Sequence, residues 1–210
     1  MTRLRFPALS ALVLGASLSF QSFGAHAQSA AAVTAPIQAL NQALDAIQQP
    51  NSGSFAARTS KLAPVVDQSY DLESVLRSSV GASRYAQLSA DDKQKLMVAF
   101  REYTVARYLS SFKPGSGAKF TLSPEISPYS IASEQKVTTH IGSDENPQGT
   151  EIDYVMRQEN GSWKIVDVLL EGHISQVVVQ RSDFGPTLAA SDVNGLIAVL
   201  NKKVKTFSED

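Results

Sequence analysis

The run Pro114-Gly115-Ser116-Gly117 divides the chain into two halves that obey different periods. Before it, apolar residues recur at helical spacing; after it, they recur at period two. The chain therefore has to combine a helical half with a sheet half. Pro36 opens a predicted helix carrying Ile37, Leu40, Leu44 and Ile47, which ends near Pro50. Asn51-Ser52-Gly53 reads as a loop. A second short helix spans Phe55 to Val66, with an interruption at Pro64. A third spans Asp71 to Val80, with Leu72, Val75 and Leu76 on one side and Gly81 just past its end. The strongest pattern runs from Ala90 to about Phe112. Ser89 is placed to cap it, and Asp91 and Asp92 complement its positive end. Leu96, Phe100, Tyr103 and Arg107 form one row of this helix, and Met97, Thr104, Tyr108 and Phe112 lie beside it.

Beyond the break, Lys119 to Leu122 and Ser130 to Ile141 read as strands. Glu151 to Gln158 and Trp163 to Leu170 flank Asn160-Gly161, a strong hairpin signal. With Asn160 and Gly161 as the turn, Glu159 pairs with Ser162. Ile152, Tyr154, Met156, Trp163, Ile165, Asp167 and Leu169 then share one face. Asp153, Val155, Arg157, Lys164, Val166, Val168 and Leu170 share the other. Two closing helices are expected, one from Ser175 to about Ala189 and one from Asp192 with Val193, Leu196, Ile197, Leu200, Val204 and Phe207 on one face. The Val177-Val178-Val179 run also suits a strand. Helices, antiparallel sheet, helices is an α+β order. It divides the fold into a helical part (about 36–112), a sheet part (about 119–171) and C-terminal helices (about 175–207).

Arg3 and Arg5, the apolar run Ala8 to Phe20 and Ala25-His26-Ala27 have the order of an export leader. The run is short of the ~20 residues that a bilayer-spanning helix needs. Residues 1–27 are therefore expected to be a cleaved signal peptide, and residues 28–210 a single exported domain. Removing two arginines leaves 17 basic and 20 acidic residues, a net charge of −3. No basic cluster stands out, which argues against nucleic acid as a partner. The chain has no cysteine. That excludes a lipoprotein anchor, disulfides, thiol catalysis and thiolate metal sites. The expectation is a water-soluble periplasmic protein.

Catalytic motifs are missing: there is no G-x-S-x-G, H-E-x-x-H or P-loop. Of the histidines, His26 leaves with the leader, and His140 and His173 stand in different segments with no ligand spacing. The residues point to no enzyme, no metal site and no cofactor. Asp167 is the odd charge, falling opposite Tyr154 on the apolar face. A buried carboxylate needs partners, either Tyr154 or a helix N-terminus; alternatively it is a polar group at a pocket mouth. Large apolar side chains on the long helix must cover the sheet. An ordinary core accounts for them, but the last strand is apolar on both faces, which a sheet wetted on one side avoids. Phe100, Tyr103, Val155, Val166, Val168 and Val178 are the candidate lining of an apolar pocket.

Several residues, taken in order, resemble the MlaC family of toluene-tolerance proteins. They are Phe100-Arg101-Glu102-Tyr103, then Trp163, Asp167, Glu171-Gly172 and Ser175, then Arg181-Ser182-Asp183-Phe184. The stretch WKIVDVLLEGHISQVVVQRSDF looks most like the HpnM branch, associated with hopanoid genes. The resemblance extends from about Leu62 to Val204. It implies a twisted antiparallel sheet of cystatin/NTF2-like form, packed with helices around an apolar lipid cavity. It further implies a periplasmic carrier of phospholipid or hopanoid that exchanges cargo with an inner-membrane transport complex and an outer-membrane lipoprotein complex, in the service of outer-membrane asymmetry. A reading of another class remains open: a periplasmic protein-binding scaffold with no lipid cargo.

Overall fold

The computed structural model describes residues 22–131 and 133–209. Five helices come first: α1 (Ser22–Ile47), α2 (Phe55–Ser69), α3 (Leu72–Val80), α4 (Ala82–Gln87) and α5 (Ala90–Ser111). Strands β1 (Lys119–Pro128), β2 (Glu134–Gly142), β3 (Thr150–Glu159), β4 (Ser162–Leu170) and the two-residue β5 (Ile174–Ser175) follow, and α6 (Gln176–Glu209) closes the chain. The five strands form one antiparallel sheet in sequence order, β1-β2-β3-β4-β5. This is the expected α+β class.

The helices form where capping and apolar spacing agree. Ser54, Asp71 and Ser89 each accept a hydrogen bond from a first-turn backbone N–H, at the starts of α2, α3 and α5. Ile37, Leu40, Leu44 and Ile47 form the fully buried stripe of α1, which packs on α2 and on β4 and β1. Two prolines stand elsewhere than the sequence indicates. Pro36 lies inside α1, and Pro64 lies inside α2. Most of the expected leader, including its whole apolar run, lies outside the described residues. Helix α1 begins at Ser22, ahead of the expected cleavage point.

The change of period is clamped from α1. Gln48 accepts from Ser116 Oγ at 2.7 Å and from the Ala118 N–H at 2.8 Å, and its Nε2 donates to the Ala118 carbonyl at 2.7 Å. The buried Arg58 of α2 donates to the carbonyls of Leu109 and Phe112 at 3.2 and 3.3 Å, satisfying the end of α5.

The β3–β4 turn has Asn160 at φ 50° and Gly161 at φ 83°, the left-handed pair that a two-residue hairpin requires. Pairing runs as expected from Glu159↔Ser162 to Met156↔Ile165, then slips by one so that Val155 faces Asp167 and Tyr154 faces Val168. Val166 is the extra residue of a β-bulge. A one-residue slip exchanges the two faces. Val168 and Leu170 thereby join Ile152 and Tyr154 against the main core, while Leu169 joins Val155 and Val166 in a small cluster on the far face. The expected face assignment is corrected at these positions.

Helix α6 contains the expected break. Asp192 adopts φ 62°, ψ −161°, and its side chain accepts from the Asn194 N–H at 2.7 Å. The helix is thus two arms joined at a kink. No described helix is long and apolar enough to cross a membrane.

Candidate functional site: an apolar cavity between the long helix and the sheet

Helix α5 lays one face over the sheet. Phe100, Tyr103, Thr104, Arg107, Tyr108 and Ser111 recur at alternating steps of three and one, and all six line a cavity of about 180 Å³. The opposite wall is Ile141, Ile152, Tyr154, Val168 and Leu170 from β2, β3 and β4. Tyr70, Leu72 and Val75 close it from the α2–α3 junction, and Gln176, Val177 and Gln180 from the first turns of α6. Most of these groups are apolar. Burial along α5 is graded: Phe100 and Tyr103 are buried, Thr104, Arg107 and Tyr108 are half-buried, and Ser111 is exposed. Phe112, at the C-terminal end of the same face, is buried and lines the cavity as well.

Among the expected lining residues, Phe100, Tyr103 and Val168 are brought together here. Val155 and Val166 are not, because the bulge leaves them on the far face of the sheet with Leu169. Val178 points away and is 64% exposed, since it follows the cavity-facing Val177 by one helical step. The sequence reading also passed over Tyr70, Arg107, Tyr154, Gln176 and Gln180. Arg107 had a usable signal, being in the same helical row as Phe100 and Tyr103.

Asp167 combines the two roles considered for it. It lines the cavity. Its carboxylate also accepts from Ser175 Oγ at 2.5 Å, from the Val177 N–H at 3.1 Å and from the Val168 N–H at 2.7 Å. It thus caps the N-terminus of α6 from the neighbouring strand. The partner is the helix N-terminus and not Tyr154, because the bulge moves Asp167 out of register with that residue.

The strongest polar feature of the wall is phenolic. The hydroxyls of Tyr70 and Tyr108 lie 2.5 Å apart. Tyr154 stands on the same cavity wall. Burial pushes all three phenols above their usual range, and the nearby Arg107 charge draws Tyr70 and Tyr108 back a little. All three are therefore neutral hydrogen-bonding groups at neutral pH. Gln180 is tied down by Ser79 Oγ at 2.8 Å, linking α6 to α3.

Glu171 and Gly172 turn β4 into β5. Both have positive φ, 53° and 71°, and the His173 N–H donates to the Leu170 carbonyl at 3.2 Å. His173 Nδ1 lies 2.6 Å from the Glu171 carbonyl oxygen, so that imidazole is engaged locally. No group of three acidic, histidine or cysteine residues able to hold a metal occurs among the described residues.

Comparison with known proteins places this arrangement. No curated protein matches the chain. A solved structure of a phospholipid-binding protein from Ralstonia solanacearum, in complex with a phospholipid, superposes with a TM-score of 0.66 at 16% identity, covering 84% of this chain and 98% of that one. At that identity the likeness establishes the fold. The profile of the MlaC family, described as MlaC protein, matches residues 37–202, which include every element from α2 to β5, the C-terminal part of α1 and most of α6. The chain is a member of the MlaC family.

Proposed function

We propose that this protein is a periplasmic lipid carrier that holds a phospholipid or hopanoid in the α5–sheet cavity and moves it between inner and outer membranes. The observation that carries the reading is the cavity itself, an apolar space kept open between two elements that would otherwise pack as core. A lipid chain of roughly fifteen methylenes gains on the order of 10 kcal/mol on leaving water, at ~0.8 kcal/mol per methylene. A soluble carrier has to match much of that, which an enclosed space does and a surface groove does not. The space is below the roughly 300–1,000 Å³ typical of ligand pockets, so loading requires α5 or α6 to move away from the sheet. Cargo held this firmly leaves slowly unaided, and docking complexes in the two membranes are the natural agents of opening. Nothing in the lining resembles a catalytic constellation, in keeping with a binding and transport role. The HpnM-like C-terminal half favours the hopanoid-associated branch, and the leader-like N-terminus favours export with cleavage after Ala27.

A vesicle assay tests the reading. Donor vesicles carrying labelled phospholipid, or in a second arm labelled hopanoid, are mixed with unlabelled acceptors, and transfer is followed with and without protein. Transfer that scales with protein concentration is expected, with labelled lipid bound to the protein in transit. Protein that never acquires label contradicts the carrier reading and leaves the scaffold reading.

A further inference from the structure

We propose that the groove between the α3–α4 turn and the first arm of α6 is the surface by which this protein docks on an anionic lipid membrane. The groove is separate from the cavity described above, and the inference goes beyond the carrier reading. Two arginines, Arg84 and Arg181, line the groove, and no acid does. Both are exposed, and neither forms an ion pair with a carboxylate of the described residues. Asp183 stands two residues beyond Arg181, which turns it to the other side of the helix. Gly81 lines the groove beneath Arg181: a Cβ there would stand 3.2 Å from the guanidinium. The missing side chain lets that charge lie across the turn.

Apolar groups complete the pattern. Of the five large apolar side chains exposed among the described residues, Ile174, Val178 and Val179 stand together at the start of α6. Val178 is the most exposed, and it shares a helix face with Arg181 and Gly185, at steps of three and four. Exposed aliphatic groups beside cations settle at the headgroup–acyl boundary of an anionic bilayer. A protein partner fits less well: eight residues line the groove, against the roughly 20–30 a side of a stable protein interface. The whole chain carries a formal net charge of −1, so attraction to an anionic surface has to come from a local patch. The patch also borders the cavity. Ser79 Oγ donates to Gln180 Oε1 at 2.8 Å, joining α3 to α6. Gln180 lines the cavity, and its neighbour Arg181 lines the groove. Docking there brings the α3–α6 seam, part of the cavity wall, against the bilayer.

Vesicle co-sedimentation tests the proposal. Full-length exported protein is mixed at low ionic strength with vesicles of phosphatidylcholine, or with vesicles in which half of it is replaced by phosphatidylglycerol. Each arginine close to an anionic surface is worth about fivefold in binding, and the pair about 25-fold. Wild-type protein is therefore expected to prefer the phosphatidylglycerol vesicles by roughly that factor, and to lose the preference as salt rises. R84Q/R181Q should lose most of it, and R84Q alone about half on a logarithmic scale. V178S should weaken binding to both kinds of vesicle severalfold. K202Q/K203Q removes the same charge from the exposed side of the second α6 arm and should bind like wild type. Melting temperatures verify that the variants are folded. No preference in wild type, an undiminished preference in R84Q/R181Q, or an equal loss in K202Q/K203Q overturns the proposal. Wild-type protein that ignores both vesicles but binds polyglutamate through Arg84 and Arg181 overturns it in favour of an acidic protein partner. Each of these results leaves the carrier reading to its own transfer assay.

Discussion

The Asp167 carboxylate accepts the backbone N–H of Val177 at 3.1 Å, so a residue of strand β4 caps the helix that closes the cavity. The same carboxylate holds Ser175, whose own Oγ accepts from the Val178 N–H at 3.1 Å. One side chain therefore fixes both the strand bulge and the first turn of α6.

Asp167→Ala should destabilise the fold by about 1–3 kcal/mol, the range for losing a helix cap together with a partly buried hydrogen-bond acceptor. Urea unfolding checks this through a lower midpoint with an unchanged m-value. Asp167→Asn, which keeps one acceptor, should recover part of the loss. An alanine variant as stable as wild type would remove Asp167 from this role.

Val166 and Val168 lie two residues apart in β4, on opposite sides of the sheet because of the bulge. Val168→Phe places a ring in the open space, so it should lower lipid occupancy severalfold with little cost in melting temperature. Val166→Phe crowds the small cluster with Val155 and Leu169 instead, and should cost about 1–3 kcal/mol with no change in lipid per folded molecule. Unfolding curves and lipid quantification on the same samples separate the two. Equal effects on lipid would contradict the bulged register.

The three phenols make stability depend on alkaline pH. Burial raises the folded-state values of Tyr70, Tyr108 and Tyr154 above the ordinary ~10 of the unfolded chain. Above that pH the unfolded state sheds protons that the folded state retains, so stability is fully present below pH ~10 and falls as pH rises. Each phenol contributes up to about 1.4 kcal/mol per pH unit. Urea midpoints taken between pH 8 and pH 11 should be flat and then drop. Tyr108→Phe should make the drop shallower.

Much of this architecture is legible in the sequence, for reasons that are local. Ser89 and the α5 pattern, Gly81 after α3, the Asn160-Gly161 turn and the break at Asp192 are set by capping, φ preference and period within a few residues. Two features are not local. The bulge at Val166 changes no periodic pattern, because β4 is apolar on both faces, yet it decides which valines meet the cavity. The cavity's phenols come from the α2–α3 junction, α5 and β3, elements whose approach depends on tertiary packing. A helix start at Pro36 and an interruption at Pro64 follow from what an isolated helix does at proline; packing of α1 and α2 against each other and the sheet outweighs that cost.

The central claim is that the cavity carries lipid. Organic extraction of the protein exported with its own N-terminal segment, followed by mass spectrometry, tests it most directly. The account predicts close to one lipid molecule per chain, present through successive purification steps. Well-folded protein that proves lipid-free in repeated preparations, and stays so after exposure to phospholipid vesicles, would contradict it.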